Sequence, residues 1–158
     1  MAGTLLNLSV DFDDAEIQKY FRRLHRLGAD MSPATMEISE FLHERTRDHF
    51  DDEQAPDGTP WPTLTPETLK RKQAKGVPTN KILHGESLHL RDTIFPFHNP
   101  FAAGVSTGPG TAAYAATHQF GDESRNIEAR SYLGLSAEDE LEIIEILKDH
   151  IRETKNAL

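Results

Sequence analysis

Apolar residues recur along the two ends of the chain with the spacing of an amphipathic helix. In the first such stretch they lie at i, i+4 and i+7, and they are Ile17, Phe21 and Leu24. This pattern predicts a helix from Asp13 or Asp14 to about Leu27, ended by Gly28. Ser32-Pro33 is a start signal for a second helix, to about residue 50. The short link predicts an αα-hairpin.

The centre of the chain carries shorter runs that are typical of strands. Residues 93–98 and 101–107 flank an Asn99-Pro100 turn and predict an antiparallel hairpin. Pro96 lacks an N–H group, so the first of these strands is expected to be an edge strand or an interrupted one. The alternating residues 6–10 predict another strand, whereas residues 114–120 fit either a strand or a short helix.

The last helix has the clearest start signal in the chain. Ser136 and Asp139 have the spacing of a capping box, with Asp in place of the usual Glu or Gln. The predicted apolar stripe of this helix consists of Leu141, Ile144, Leu147 and Ile151. We expect the chain after Arg152 to fray.

A Pro-rich loop over residues 51–62 is predicted to lack regular structure, and it contains the single tryptophan, Trp61. Thr65-Pro66 then starts a short helix that ends before Gly76. This helix carries the basic cluster of the chain: Lys70, Arg71, Lys72 and Lys75. We interpret the cluster as a solvated helix face, with contact to DNA or to an acidic partner as the alternative.

Together these elements predict an α+β fold in which helices at both ends pack on a small antiparallel sheet. A length of 158 residues favours a single domain over 1–158. The absence of cysteine excludes disulfides, thiolate zinc sites and thiol nucleophiles. No secretory signal and no run of about 20 apolar residues is found, so we expect a soluble protein made in a cytoplasm, without a membrane partner.

The net charge of −9 comes from 26 acidic and 17 basic side chains. Proteins that bind nucleic acid through phosphates usually have a basic surplus. An acidic surface would suit a component that DNA passes without specific binding, and solubility alone is the simpler interpretation.

Motifs that carry catalytic chemistry are not convincing in this sequence. His43-Glu44 is followed by His49, six residues after His43, whereas a zinc protease helix needs histidines at i and i+4. The stretch 108–113 matches a dinucleotide fingerprint in form but lacks the βαβ context, which favours a plain Gly-Pro-Gly turn. We therefore expect no enzyme, no catalytic residues, no metal and no cofactor.

An ordered set of short motifs resembles the phage virion morphogenesis family, the tail completion proteins of Mu-like tailed phages and related prophages. Its most specific members are Tyr-Ala-x-x-His-Gln-Phe-Gly at 114–121 and Ala-Arg-x-Tyr-Leu-Gly-Leu-Ser at 129–136. The set also includes residues 56–61, 64–70, 81–83 and 88–94. The resemblance covers about residues 12–151. The glycine of 84–87 lies earlier than in many family members.

This resemblance implies a late-acting virion protein at the tail end or the head–tail junction, with no catalytic residues to carry over. By analogy with related connectors and tail terminators, it implies a ring of this chain, commonly of six subunits. The implied partners are further copies, the tail tube protein and the head–tail connector proteins. The alternatives are a tail-assembly chaperone that leaves the particle and, less favoured, a small hydrolase.

Aromatic and arginine residues are enriched at the cores of protein interfaces. The interface candidates on this ground are Trp61, Phe120, Arg130 and Tyr132. For Phe120 and Tyr132 we favour burial within the chain. Arg130 is expected to form an ion pair within the domain or across subunits, and Trp61 either anchors an interface or pins its own loop.

Overall fold

The computed structural model describes residues 14–85, 90–108 and 111–158, without the side chains of residues 112 and 113. Its helices are α1 (Ala15–Arg26), α2 (Ser32–Asp52), α3 (Pro66–Ala74), α4 (Ala112–Phe120) and α5 (Ala137–Ala157). Its strands are β1 (Ile94–Asn99) and β2 (Ala102–Thr107), and short 3-10 turns cover Leu90–Thr93 and Glu123–Arg125. The predicted strand at residues 6–10 lies outside the described residues.

The helices begin where their capping side chains are placed. The Asp14 carboxylate accepts the Ile17 N–H at 2.8 Å, and Thr65 does the same for α3. At α5 the Ser136 hydroxyl accepts the Asp139 N–H at 3.1 Å, and the Asp139 carboxylate accepts the Ser136 N–H at 2.9 Å. The predicted capping box is thus confirmed, since both of its hydrogen bonds form.

Strands β1 and β2 form a two-stranded antiparallel sheet joined at the Asn99-Pro100 turn. With helices before and after this hairpin, the predicted α+β class is confirmed. The tight turn at the end of α1 also agrees with prediction, because Gly28 has a φ of +71°, which glycine adopts without strain.

The described chain divides into two compact units, which leaves the predicted single domain a prediction. The first unit contains residues 45–95 and 106–134, and the second contains residues 14–44, 96–105 and 135–158, each within the described ranges. The boundary runs through α2 and through the hairpin.

The second unit has a helical core in which α1 packs along α5. Its buried members are Leu24, Met31, Ala34, Ile38, Ile143, Ile146, Leu147 and Ile151. Ile17 and Phe21 of the predicted α1 stripe pack against this core, as does Ala103 of β2. The buried core of the first unit contains Phe50, Trp61, Val77, Leu90, Ile94, Ala115, Tyr132 and Leu133.

Two predictions about α5 were wrong. Leu141 does not belong to the buried stripe, because its side chain is 64% exposed and the core takes Ile143 and Ile146 instead. The face that packs is therefore rotated from the predicted one. The helix also continues to Ala157 rather than fraying after Arg152, since Ile151 packs into the core and extends helix order beyond it.

The Pro-rich loop is more ordered than predicted. Its first two residues, Asp51 and Asp52, form the end of α2. An antiparallel bridge then pairs Gln54 with Pro60, and the Ala55 N–H donates to the Thr59 carbonyl at 2.8 Å. The open choice for residues 114–120 is decided in favour of a helix, α4.

Candidate assembly site

The motif residues converge in the first unit on the segment Arg130–Leu133, which we call the motif hub. Trp61 is 4% exposed, and its indole Nε1 donates to the Ser131 carbonyl at 2.8 Å. Its ring meets Phe50 edge-on, with 5.4 Å between ring centroids. Trp61 therefore pins the Pro-rich loop onto its own chain, which was one of the two predicted roles.

Arg130 ties the hub to the end of the same loop. Its guanidinium donates from Nε to the Pro62 carbonyl at 3.0 Å and from Nη2 to the Thr63 carbonyl at 3.2 Å. Burial lowers the pKa of Arg130, and the nearby charge of Glu128 acts in the opposite direction. These bonds satisfy two backbone carbonyls that would otherwise need other partners. An ion pair of Arg130 within the domain or across subunits stays a prediction.

Gln119 connects the hub to α4 through three side-chain hydrogen bonds. Its Oε1 accepts the N–H groups of Tyr132 and Leu133, both at 3.0 Å. Its Nε2 donates to the Leu133 carbonyl at 2.9 Å. The carboxamide therefore satisfies three backbone groups of the hub, which accounts for a glutamine at this motif position.

Tyr132 is fully buried at the centre of the hub. Its hydroxyl donates to the Ala115 carbonyl at 3.0 Å, and burial raises its pKa. The Tyr132 carbonyl lies 2.9 Å from Nδ1 of the buried His49. Because a carbonyl only accepts, Nδ1 carries the proton. The predicted burial of Tyr132 is confirmed.

The turn after α4 requires its glycine for two reasons. Gly121 has a φ of +78°, and a Cβ at this position would lie 2.9 Å from the Ile127 carbonyl and from the Ala129 nitrogen. The tight turn lets the Arg130 N–H donate to the His118 carbonyl at 2.7 Å. The final glycine of the Tyr-Ala-x-x-His-Gln-Phe-Gly motif thus brings the hub back against α4.

A further motif residue joins α2 to the 3-10 turn Leu90–Thr93. Arg91 donates from Nε and Nη2 to the two carboxylate oxygens of Asp51, each at 2.8 Å. This two-pronged pair raises the pKa of Arg91 and lowers that of Asp51. Such geometry orients the two elements more firmly than a single ionic contact.

The four interface candidates therefore divide into two groups. Trp61, Arg130 and Tyr132 come together in the hub, with little side-chain surface left for a neighbouring subunit. Phe120, which was expected to be buried, is 65% exposed because it lies on the face of α4 that points away from the hub. A contact between Phe120 and another subunit stays a prediction.

A groove of about 990 Å³ in the first unit, which we call the basic groove, contains most of the basic cluster. Its lining includes five apolar side chains, which are Leu64, Val77, Leu83, Leu90 and Ile127. The groove is also lined by three basic residues at the end of α3. These are Arg71, Lys72 and the C-cap residue Lys75. Lys72 forms hydrogen bonds within the chain, because its ammonium donates to the Pro78 and Lys81 carbonyls.

The opposite wall of the basic groove contains Arg125, Tyr114 and His118. Arg125 binds the Asp122 carboxylate at 2.7 Å and the Thr117 hydroxyl at 2.9 Å. Burial lowers the pKa of His118 to about 4, with the charges of Arg130 and Arg125 acting in the same direction. His118 is consequently neutral near pH 7 and adds no charge to the groove.

The hairpin exposes three phenylalanines, of which Phe101 at the turn is 76% exposed; the others are Phe95 and Phe97. The rings of Phe97 and Phe95 lie across Gly104 of β2 and Gly108 directly after it. A Cβ at Gly104 would come within 2.7 Å of the Phe97 ring, and one at Gly108 within 2.5 Å of the Phe95 ring. Exposed aromatic rings held in this way are candidates for contact with another molecule.

Within the described ranges, no group of three or more His, Asp or Glu side chains is arranged to hold a metal ion. None of the described helices is both long enough and apolar enough to cross a membrane. Pro109 and Gly110 of the formal dinucleotide fingerprint lie outside the described residues.

The first unit thus contains a buried hub of motif residues and an exposed groove, and the hairpin carries exposed aromatic rings that are candidates for contact with another molecule. A family model described as the phage virion morphogenesis family matches residues 12–152. The chain belongs to this family, as the motifs predicted, and its role lies in the assembly of phage particles. Searches of curated proteins and of solved structures returned no significant match.

The parts of the site that depend on facing surfaces were not predictable from the sequence patterns. Gln119 and His49 were not selected as site residues, although Gln119 stood inside the most specific motif. A polar residue inside this motif was the available signal, since a buried carboxamide needs partners. The basic cluster was noticed, but only the fold shows that it faces a groove.

Proposed function

We propose that this chain is a structural virion protein that completes the phage tail or forms part of the head–tail connector, as a ring of identical subunits. The observation that carries the proposal is the family match over residues 12–152, which includes all the described elements up to most of α5. Residues of the motifs that identify the family form the hub and its hydrogen bonds, so these residues stabilise the fold.

The exposed phenylalanines support assembly into an oligomer. A cyclic assembly needs two different surfaces on each subunit, because each copy contacts one neighbour with each surface. Phe101 at the hairpin turn and Phe120 on α4 lie in different units of the chain. Each therefore offers an exposed aromatic residue of the kind that is enriched at interface cores.

The proposed role is non-enzymatic and lies at the tail end or the head–tail junction. The proposed partners are further copies of this chain, the tail tube protein and the head–tail connector proteins. With a net charge of −9, the protein would let DNA pass nearby without specific binding, because like charges repel the phosphate backbone.

Deletion of the gene in the phage, followed by electron microscopy of lysates, tests the proposal. We expect filled heads and separate tails with irregular ends, and complementation with the intact gene should restore joined particles. Normal infectious particles from the deletion phage would contradict the proposed role.

Quantitative mass spectrometry of purified virions separates the structural role from that of a transient chaperone. A structural ring predicts several copies per particle. A chaperone predicts unjoined or irregular tails in the deletion phage but absence of the protein from mature wild-type particles.

A further inference from the structure

Residues 78–83 of the first unit, which we call the strap, follow α3 and contain no helix or strand. Residues 78–81 are exposed, and Ile82 and Leu83 are only half-buried. Within the part of the chain that the structure describes, no hydrogen bond between two backbone groups involves the strap. The strap therefore has little of the apolar burial and backbone pairing that protect a segment against local opening.

A single ammonium group holds the first part of the strap. Lys72 donates from Nζ to the Pro78 carbonyl at 3.2 Å and also to the Lys81 carbonyl. One charged side chain thus closes the turn between these two acceptors. The strap starts from a fixed point, because the preceding Val77 is buried and its N–H donates to the Lys72 carbonyl at 2.9 Å.

A carboxylate holds the last part of the strap. Oε1 of Glu53 accepts the Ile82 N–H at 2.7 Å. The backbone of Glu53 is itself anchored, since its carbonyl accepts the N–H of the buried Trp61 at 2.8 Å. Burial lowers the pKa of Lys72, and the nearby charge of Glu53 acts in the opposite direction. The two side chains that hold the strap therefore attract each other.

Leu83 ends the strap in a backbone conformation that leucine rarely adopts. Its φ of +54° lies in the left-handed region, where the Cβ crowds the backbone. Such a conformation persists only where the surroundings hold it. Leu83 also lines the basic groove. Opening of the strap would relieve this strain and remove one side chain from the lining of the groove.

We propose that the strap opens and closes as one unit beside the basic groove while the hub stays folded. The structure shows the closed form, in which Leu83 belongs to the lining. In the open form the contacts of Lys72 and Glu53 with the strap are broken together, and the groove is wider. The inference concerns a single copy of the chain, so it goes beyond the proposed ring and does not depend on it.

Hydrogen exchange of single amides, followed by NMR at several urea concentrations below the unfolding transition, tests the inference on the full chain. The Ile82 amide reports on the strap, and the Tyr132 amide, which donates to Gln119, reports on the hub. We expect Ile82 to have a protection factor at least about tenfold lower than that of Tyr132. Its exchange should depend little on urea, because a local opening exposes little surface.

Lys72→Met tests whether the strap opens as one unit. The change removes the donor to Pro78 and Lys81 but leaves the bond between Glu53 and Ile82 in place. We expect exchange at Ile82 to become at least about tenfold faster, because bonds from a charged donor are lost elsewhere in the same unit. Exchange at Tyr132 should stay unchanged.

Lys70→Met is the matched control, since Lys70 is an exposed lysine of the same helix that lies outside the lining of the groove. It should leave exchange at Ile82 unchanged. Should Lys72→Met fail to fold, Glu53→Gln replaces it, because this change keeps an acceptor and removes only its charge. Cleavage by trypsin after the exposed Lys81 should then be faster than in the unchanged chain.

Two results would overturn the inference. Equal protection and equal urea dependence at Ile82 and Tyr132 would mean that the strap opens only when the whole unit unfolds. Unchanged exchange at Ile82 in folded Lys72→Met, or unchanged cleavage after Lys81 in Glu53→Gln, would mean that the two charged side chains do not hold one common unit.

Discussion

At the scale of single residues, the motif positions act by satisfying backbone groups of neighbouring segments. Trp61, Arg130 and Gln119 each donate to a main-chain carbonyl in the first unit. A buried carbonyl without a partner costs about 1–3 kcal/mol. These side-chain hydrogen bonds therefore hold the hub and the Pro-rich loop in place, although the hub is not part of a β-sheet.

Truncation of Trp61 should lower the stability of the chain. Trp61→Ala removes a buried ring and the bond to Ser131, and we expect a loss of about 3–5 kcal/mol in the free energy of unfolding. Urea denaturation measures this loss. The control Trp61→Phe keeps an aromatic ring and should lose less. A change below about 1 kcal/mol in Trp61→Ala would contradict the observed burial.

His118 should make the stability of the chain depend on pH. Its pKa is about 4 in the folded chain against an ordinary 6.5, so between these values the unfolded chain binds a proton that the folded chain does not. The contribution of His118 to stability is therefore fully present above about pH 6.5 and is lost as the pH drops towards 4.

His118→Gln should reduce the slope of unfolding free energy against pH between about 4 and 6.5, because the proton uptake of the unfolded state is removed at this position. Urea denaturation over this range measures the slope. His25→Gln, at an exposed position on α1, is the control for loss of one imidazole. An unchanged slope in His118→Gln would refute the assignment.

At the scale of elements, the ends of helices and the turns between them follow local signals. The caps of α1, α3 and α5 lie where Asp14, Thr65 and Ser136 predict them. The turn after α4 adds a non-local demand at Gly121, because this position also touches the segment that returns to the hub.

Gly121→Ala should cost more stability than Gly28→Ala. Both glycines have positive φ, so each substitution carries about 1 kcal/mol of backbone strain. Only at Gly121 would the new Cβ also meet backbone atoms, at 2.9 Å, whereas the space around Gly28 is open. Thermal unfolding of the two variants compares them directly, and equal losses would mean that the turn adjusts freely.

At the scale of the whole molecule, the hub residues of the family motifs are buried, whereas charged side chains and a few aromatic rings are exposed. The exposed residues that distinguish its surface are Phe95, Phe97, Phe101, Phe120 and Leu141. None of them belongs to the buried hub. Variants at these positions can therefore separate assembly from folding.

Phe101→Ser should weaken assembly without weakening the fold. Because Phe101 is so exposed, we expect the free energy of unfolding to change by less than about 0.5 kcal/mol. Light scattering after size exclusion measures the oligomer. Met36→Ser, at an exposed apolar position on α2, is the matched control. Unimpaired assembly of Phe101→Ser would remove the hairpin turn from the interface.

Predictions from sequence succeeded where the signal was local and failed where a facing surface decided. Caps, turn residues and strand-like runs act over a few residues, so the helix starts and the hairpin were correct. The choice between Leu141 and Ile143 was wrong, because both fit an amphipathic helix and only the packing of α5 against α1 selects the buried face.

The sequence by itself determined the α+β class, the capped helix starts, the hairpin and the family, because these depend on short-range chemistry and on the order of motifs. Only the tertiary structure decided that Trp61, Arg130 and Tyr132 meet in one hub and that the basic cluster lines a groove. Residues 61 and 131 are far apart along the chain, and their contact depends on how buried surfaces fit in three dimensions.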